Sequence, residues 1–94
     1  YNIERTKDFE KSYTKIKHSG RLKKQAREKL ENAITALASE KKLSFGYKDH
    51  QLTGELCAYR ECHIKGDLLL VYQIQKDKLA LILVDIGSHS YLGI

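Results

Sequence analysis

The chain holds no run of about 18 apolar residues that could cross a bilayer, and no apolar block near its start of the kind that directs export. It therefore reads as soluble and cytoplasmic, without a membrane partner. It has two cysteines only, Cys57 and Cys62. Both fall in what reads as one strand, five positions and about 16 Å apart with side chains on opposite faces, too far apart to bridge. They are expected as small, reduced residues of the interior, in keeping with a cytoplasmic protein. No internal repeat and no low-complexity tract occurs. With 94 residues there is no room for a second unit, so a single domain over 1–94 is expected, burying roughly two thirds of its unfolded surface.

Charge is present in quantity but unevenly spread. Residues 1–48 hold 13 Lys or Arg against 6 acids, and residues 49–94 hold 4 against 6, within a net charge of +5. The basic half suits a solvated helical surface, and equally suits attraction to phosphate backbones or to an acidic protein.

The order of elements follows from periodicity. Tyr1–Glu4 reads as a short strand and Thr6 as the N-cap of a helix whose apolar stripe is Phe9, Tyr13 and Ile16, ended by Ser19-Gly20. A second helix is expected over Arg21–Ser39, with Leu22, Ala26, Leu30, Ala33, Ile34 and Leu37 buried and Lys23, Lys24 and Arg27 on its basic skin. After a loop from Glu40 to Gly46, the chain turns extended from Glu55. Leu56, Ala58, Cys62 and Ile64 are then placed on one face, and Cys57, Tyr59, Glu61, His63 and Lys65 on the other. Gly66-Asp67 turns into a central strand, Leu68–Gln75, and Lys76-Asp77-Lys78 into another, Leu79–Ile86. The expected class is α+β: a helical hairpin on a four-stranded, mostly antiparallel sheet in the order β-α-α-β-β-β.

Three of the four histidines, His50, His63 and His89, lie in or beside the strand half, at strand ends or loops where side chains reach solvent. Histidine gives and takes protons near neutral pH, so three on one sheet point to proton transfer or to a metal. Three histidines and a carboxylate make an acceptable zinc set, yet no pair has the His-x-His or His-x3-His spacing of tight ligands. No metal or cofactor is therefore expected. His18, on the lysine-rich helix, reads as structural. Asp67 in a Gly-Asp turn needs no function on its own account.

The spacing Lys48-Asp49-His50-x-Leu52-x-Gly54, then Tyr59-Arg60-Glu61-x-His63-x-x-x-Asp67, then Leu69-Leu70-Val71-Tyr72, then Gly87-Ser88-His89-Ser90 resembles the YafQ branch of the RelE superfamily of bacterial toxins. The likeness covers the whole chain in length and element order and is densest from residue 47 onward. It implies a RelE-like fold and a toxin of a type II toxin–antitoxin pair, an endoribonuclease that cuts mRNA in the ribosomal A site. Its partners would be a cognate antitoxin, the ribosome with its rRNA, and mRNA. The family's active-site residues correspond to His50, His63, Asp67 and His89, acting without a metal on the RNA's own 2′-hydroxyl. By chemistry, His50 and His89 are expected as base and acid, His63 as the phosphate-steadying group, and Asp67 as orienting a histidine or acting as an alternate base. Which histidine does which job stays open.

Lys23, Lys24, Arg27, Lys48, Arg60 and Tyr91 are candidates for RNA or ribosome contact. Strict alternation puts Arg60 on the face opposite His63, so a phosphate role there requires a bulge. The family's aromatic four positions after the tail histidine is Gly93 here, leaving Tyr91 or Leu92 to stand in. A non-catalytic basic module that binds RNA or protein explains the lysines as well, but leaves the histidines idle.

Overall fold

The computed structural model describes residues 1–94 as β1 (Asn2–Arg5), α1 (Lys7–His18), α2 (Lys24–Ala38), β2 (His50–Gln51), β3 (Arg60–Lys65), β4 (Leu68–Gln75), β5 (Ala80–Gly87) and a short terminal turn α3 (His89–Leu92). The strands form one five-stranded sheet in the order β1-β5-β4-β3-β2, with β1 parallel to β5 and all other pairs antiparallel. The α+β class is as expected. The fifth strand is β2, a two-residue edge pairing of His50 with Glu61 and Gln51 with Arg60 that is too short to leave a periodic signal.

Each helix is placed by its apolar stripe. Thr6 caps α1, its hydroxyl accepting from the Phe9 amide at 3.0 Å and donating to the Val84 carbonyl at 2.6 Å. A cap of this kind contributes on the order of 1 kcal/mol, and here it also ties α1 to β5. Phe9 and Ile16 from α1, with Leu22 and then Ala26, Leu30, Ala33 and Leu37 from α2, close over Cys62, Ile64, Leu70, Tyr72, Leu81, Leu83 and Ile86. Burial of side chains the size of Leu30 or Leu70 stabilises the fold by roughly 1.5–3 kcal/mol apiece. Helix α1 lies over β5 and α2 over β3. Ile34 and Tyr13 are half-buried at the margin. The second helix starts at Lys24, three residues later than its periodicity suggests, and Lys23 in the cap position makes no side-chain cap hydrogen bond.

A bulge between Val71 and Tyr72 leaves Val84 outside the β4–β5 pairing. Leu81, Leu83 and Ile86 could not all face the helices under strict alternation. The extra residue corrects the phase, so both ends of β5 contribute to one core.

The stretch after Glu55 departs from its expected extended form. Gly54–Leu56 is a 3₁₀ turn with Gly54 at φ +67°, and β3 begins only at Arg60. Leu56, Ala58 and Cys57 are therefore exposed, not strand residues. Period-two reading failed there because a turn can mimic alternation over four or five residues. Cys62 alone enters the core, and burial pushes its thiol up to about 12, with Asp49 and Glu61 adding to the effect. Both cysteines are free. Alkylation of the native protein with iodoacetamide at pH 8 should modify one thiol, Cys57, and a second only after denaturation, as counted by intact-mass spectrometry. Equal labelling of both in the native state would contradict this placement of β3.

Candidate active site

Alternation along β3 and β4 separates the two faces of the sheet. Cys62, Ile64, Leu70 and Tyr72 point to the helices; Glu61 and His63, paired with Val71 and Leu69, point the other way. That helix-free face carries the histidines. His50 arrives from β2 opposite Glu61, and its ring centroid lies 6.4 Å from that of His63. His89 arrives from α3, with its ring edge-on to His63 at 5.4 Å. The three rings thus form a row with His63 in the middle.

The row is oriented by carboxylates at both ends. His89 Nδ1 is 2.5 Å from Asp67 Oδ1, and the same oxygen accepts the His89 backbone amide at 3.1 Å. An Nδ1–H held on a carboxylate leaves the Nε2 lone pair free to take a proton. These bonds, the side-chain one first, hold the Asp67 carboxyl below the usual aspartate range, with the nearby Arg21 charge adding to them. At the other end His50 Nδ1 meets the Lys48 carbonyl at 2.8 Å, and its Nε2 lies 3.4 Å from Glu61 Oε1. Both His50 nitrogens thus face oxygen acceptors, a backbone carbonyl on one side and a carboxylate on the other.

Glu61 is the carboxylate of this cluster that the sequence did not single out. Its side chain is only 4% exposed, and the same oxygen lies 3.2 Å from His63 Nε2. A carboxylate removed from water needs compensating charge or hydrogen bonds, and the two imidazoles supply it. Its signal was available: Glu61 shares the face of His63 at period two. A glutamate among other strand polars, however, has no chemical mark of its own. Glu61, His63 and His89 also place one donor atom each within 4.8 Å of one another. That trio is a nitrogen–oxygen set suited to copper or zinc, and it differs from the set of three histidines and Asp67 considered on sequence alone.

The terminal turn depends on Gly87. A Cβ there would stand 2.5 Å from Tyr91 Cδ2, while the Tyr91 hydroxyl is hydrogen-bonded to Ser12 Oγ at 2.9 Å. Ser88 caps the turn by accepting the Tyr91 amide at 3.1 Å. Tyr91, bound to α1, and His89, bound to Asp67, thus lock α3 across the end of β5.

The remaining candidates are dispersed. Arg60 sits on the helix side of the sheet, as alternation requires. The bulge in β3 falls between His63 and Lys65 and does not bring Arg60 to the histidines. Its guanidinium bonds Asp49 at 3.0 Å and the Tyr72 hydroxyl at 3.3 Å, and the Asp49 bond raises it above its ordinary value. Tyr72 also donates to Asp49, and burial pushes its phenol up. This network braces the residue next to His50. Lys48 is exposed in a left-handed conformation at φ +48°, and Lys23, Lys24 and Arg27 are exposed on the connection into α2 and its first turn.

The Asp67 carboxyl should titrate below the ordinary value of about 3.9. The contribution of this pair to stability is present above the unfolded-state value and is lost as pH falls through the depressed one. Carbonyl-detected NMR should find the Asp67 midpoint returning to the ordinary range in His89→Ala, and moving part of the way in Gly87→Ala as Tyr91 is displaced. An unchanged midpoint in His89→Ala would show that the pair does not form in solution.

Residues 1–93 match the sequence profile of a family described as the bacterial toxin of type II toxin–antitoxin systems, YafQ. A metal-bound toxin from Helicobacter pylori superposes with a TM-score of 0.85 at 44% identity, covering 97% of both chains. YafQ from E. coli superposes at 0.82 with 27% identity over 97% of this chain and 96% of its own. The E. coli DinJ–YafQ complex matches at 0.81 and 28%, with the same coverage. A Haemophilus influenzae protein named "Putative toxin YafQ" is 51% identical over 41 residues, a match spanning 44% of this chain and 40% of that protein. From strand order, the histidine row and these likenesses together, the chain belongs to the YafQ family of type II toxin–antitoxin toxins.

Proposed function

We propose that this chain is a ribosome-dependent endoribonuclease that cuts mRNA in the ribosomal A site, using the RNA's own 2′-hydroxyl as nucleophile and no catalytic metal. The observation that carries the reading is the Asp67–His89 pair at 2.5 Å, set beside His63 and, beyond it, His50. Such a row offers a base, an acid and a cation on one open surface.

In this scheme His89 Nε2 takes the 2′-hydroxyl proton while Asp67 steadies the imidazolium that results. The 2′-oxygen attacks the adjacent phosphorus. The 5′-oxygen leaves with a proton from His50, giving a 2′,3′-cyclic phosphate and a 5′-hydroxyl end. His63, held by Glu61, steadies the negative charge that builds on the phosphorane. The family likeness supports this reading, and the geometry supports dividing the base and acid roles in this way, which spacing alone leaves open.

The partners follow from the same reading. Lys23, Lys24, Arg27 and Lys48 would attract ribosomal RNA without regard to sequence. A cognate antitoxin would cover the basic surface or the short β2 edge, as the E. coli relative pairs with DinJ. No helix of the chain is long and apolar enough to cross a membrane, and the proposed site of action is the cytoplasm.

Primer extension on an mRNA in a purified translation reaction should reveal new 5′ ends inside codons only when ribosomes are present. His89→Ala and His50→Ala should each reduce cleavage by about 10²–10⁴-fold, and Asp67→Asn and Glu61→Gln by about 10–100-fold, with folding retained. No cleavage at stoichiometric protein would sink the enzyme reading in favour of a non-catalytic basic module that binds RNA or protein.

The trio of Glu61, His63 and His89 adds a second expectation. A copper or zinc ion seated there would occupy the lone pairs that proton transfer requires. Added Cu²⁺ should slow cleavage and a chelator selective for copper over Mg²⁺ should restore it, whereas a rate that rises with the ion and falls with that chelator would make the trio a catalytic metal site.

A further inference from the structure

We propose that the cleft between α1 and the terminal turn α3 binds the RNA backbone phosphates next to the one that is cleaved; this rests on the endoribonuclease reading above. The cleft has a volume of about 620 Å³, within the roughly 300–1,000 Å³ of pockets that hold small organic ligands. Lys11, Lys15 and Arg21 line it, and no carboxylate does. Lys11 and Lys15 stand one helical turn apart on the same face of α1, an arrangement of like charges that costs stability in the absence of an anion. None of the three cations makes an ion pair within the protein. Three unpaired positive charges around one concavity form an anion site.

Its position selects the anion. Ser88 lines the cleft and also caps the turn that carries His89, while the Arg21 charge reaches Asp67. The basic cleft therefore adjoins the Asp67–His89 pair. A strand whose scissile phosphate rests at His89 continues across α3, where the next phosphates meet Lys11, Lys15 and Arg21. Tyr91, 60% exposed and fixed by Ser12 and Gly87, offers a ring against which a base of any identity can stack. An acidic polypeptide would satisfy the cations equally well, but would have no reason to be continuous with the proton-transfer pair.

The test compares wild type with Lys11→Ala/Lys15→Ala/Arg21→Ala in single-turnover cleavage of mRNA on ribosomes. The triple variant should lose about 10–100-fold in kcat/KM with kcat largely retained. The slope of log kcat/KM against log salt should become shallower by about 2, since each phosphate contact on a single strand accounts for roughly 0.7. The charge-conserving Lys11→Arg/Lys15→Arg/Arg21→Lys should restore both. If the triple variant melts early, Lys11→Ala and Lys15→Ala singly should each make the slope shallower by about 0.7.

A second arm follows amide shifts of the protein titrated with a fully 2′-O-methylated RNA hexamer, which lacks the nucleophile. Shifts are expected at Ser12, Lys15, Gly87 and Tyr91. Cleavage by wild type together with an unchanged kcat/KM and salt slope in the triple variant overturns the proposal and leaves the cleft to an acidic polypeptide partner. Absence of cleavage by wild type removes the enzyme reading; shifts at the cleft would then still support an RNA-phosphate site there, and their absence would remove it as well.

Discussion

A β-strand can hand only every second residue to the helices above it, and the site depends on that constraint in β3. Cys62 and Ile64 are taken by the core, so Glu61 and His63 must face the other way. The same parity in β4 sets Leu69 and Val71 opposite them as a buried apolar floor. A slip of one residue in the β3–β4 register would bury the histidine and expose the core. The rigidity of the hydrophobic packing is thereby lent to the side chains that meet RNA in the proposed function.

On that floor the electrostatics are graded. Glu61 is nearly closed off from water and stands between two imidazoles, whereas Asp67 is open to solvent and holds one. Two carboxylates in different surroundings give histidines of the same chemistry different partners. That difference permits a division of labour among three otherwise equivalent rings. The exposed members, His50 and His89, come from the shortest elements, a two-residue strand and a four-residue turn, each braced from behind. Asp49, Arg60 and Tyr72 support the first, and Gly87, Tyr91 and Ser12 the second.

Much of this architecture was legible in the chain itself. The apolar stripe of α1, that of α2 from Ala26 to Leu37, the Thr6 cap, the Gly66-Asp67 turn and the unbroken apolar run of β4 are local signals of side-chain chemistry and period, and each stands where it was expected, although Leu22 packs into the core from outside the helix. Three features were not legible. The two-residue β2 is created by its neighbour and has no period. Gly54–Leu56 alternates like a strand but turns. The bulge at Val84 is a correction of phase that matters only once helices lie on one face.

The site divides along the same line. Its three histidines near strand ends belong to the sequence, because proton-transfer chemistry is a property of side chains and needs no fold to be recognised, whereas Asp67 reads there as a turn residue that only the family resemblance marks. Arg60's place on the far face was also determined there, by alternation alone. Only tertiary structure decided that Asp67 pairs with His89 across 22 residues, that Glu61 closes the other end of the row, and that Lys11, Lys15 and Arg21 surround one cleft. The physical reason is range: period and propensity act over a few neighbours, whereas hydrogen bonds and charge act through space, between residues that only folding brings together.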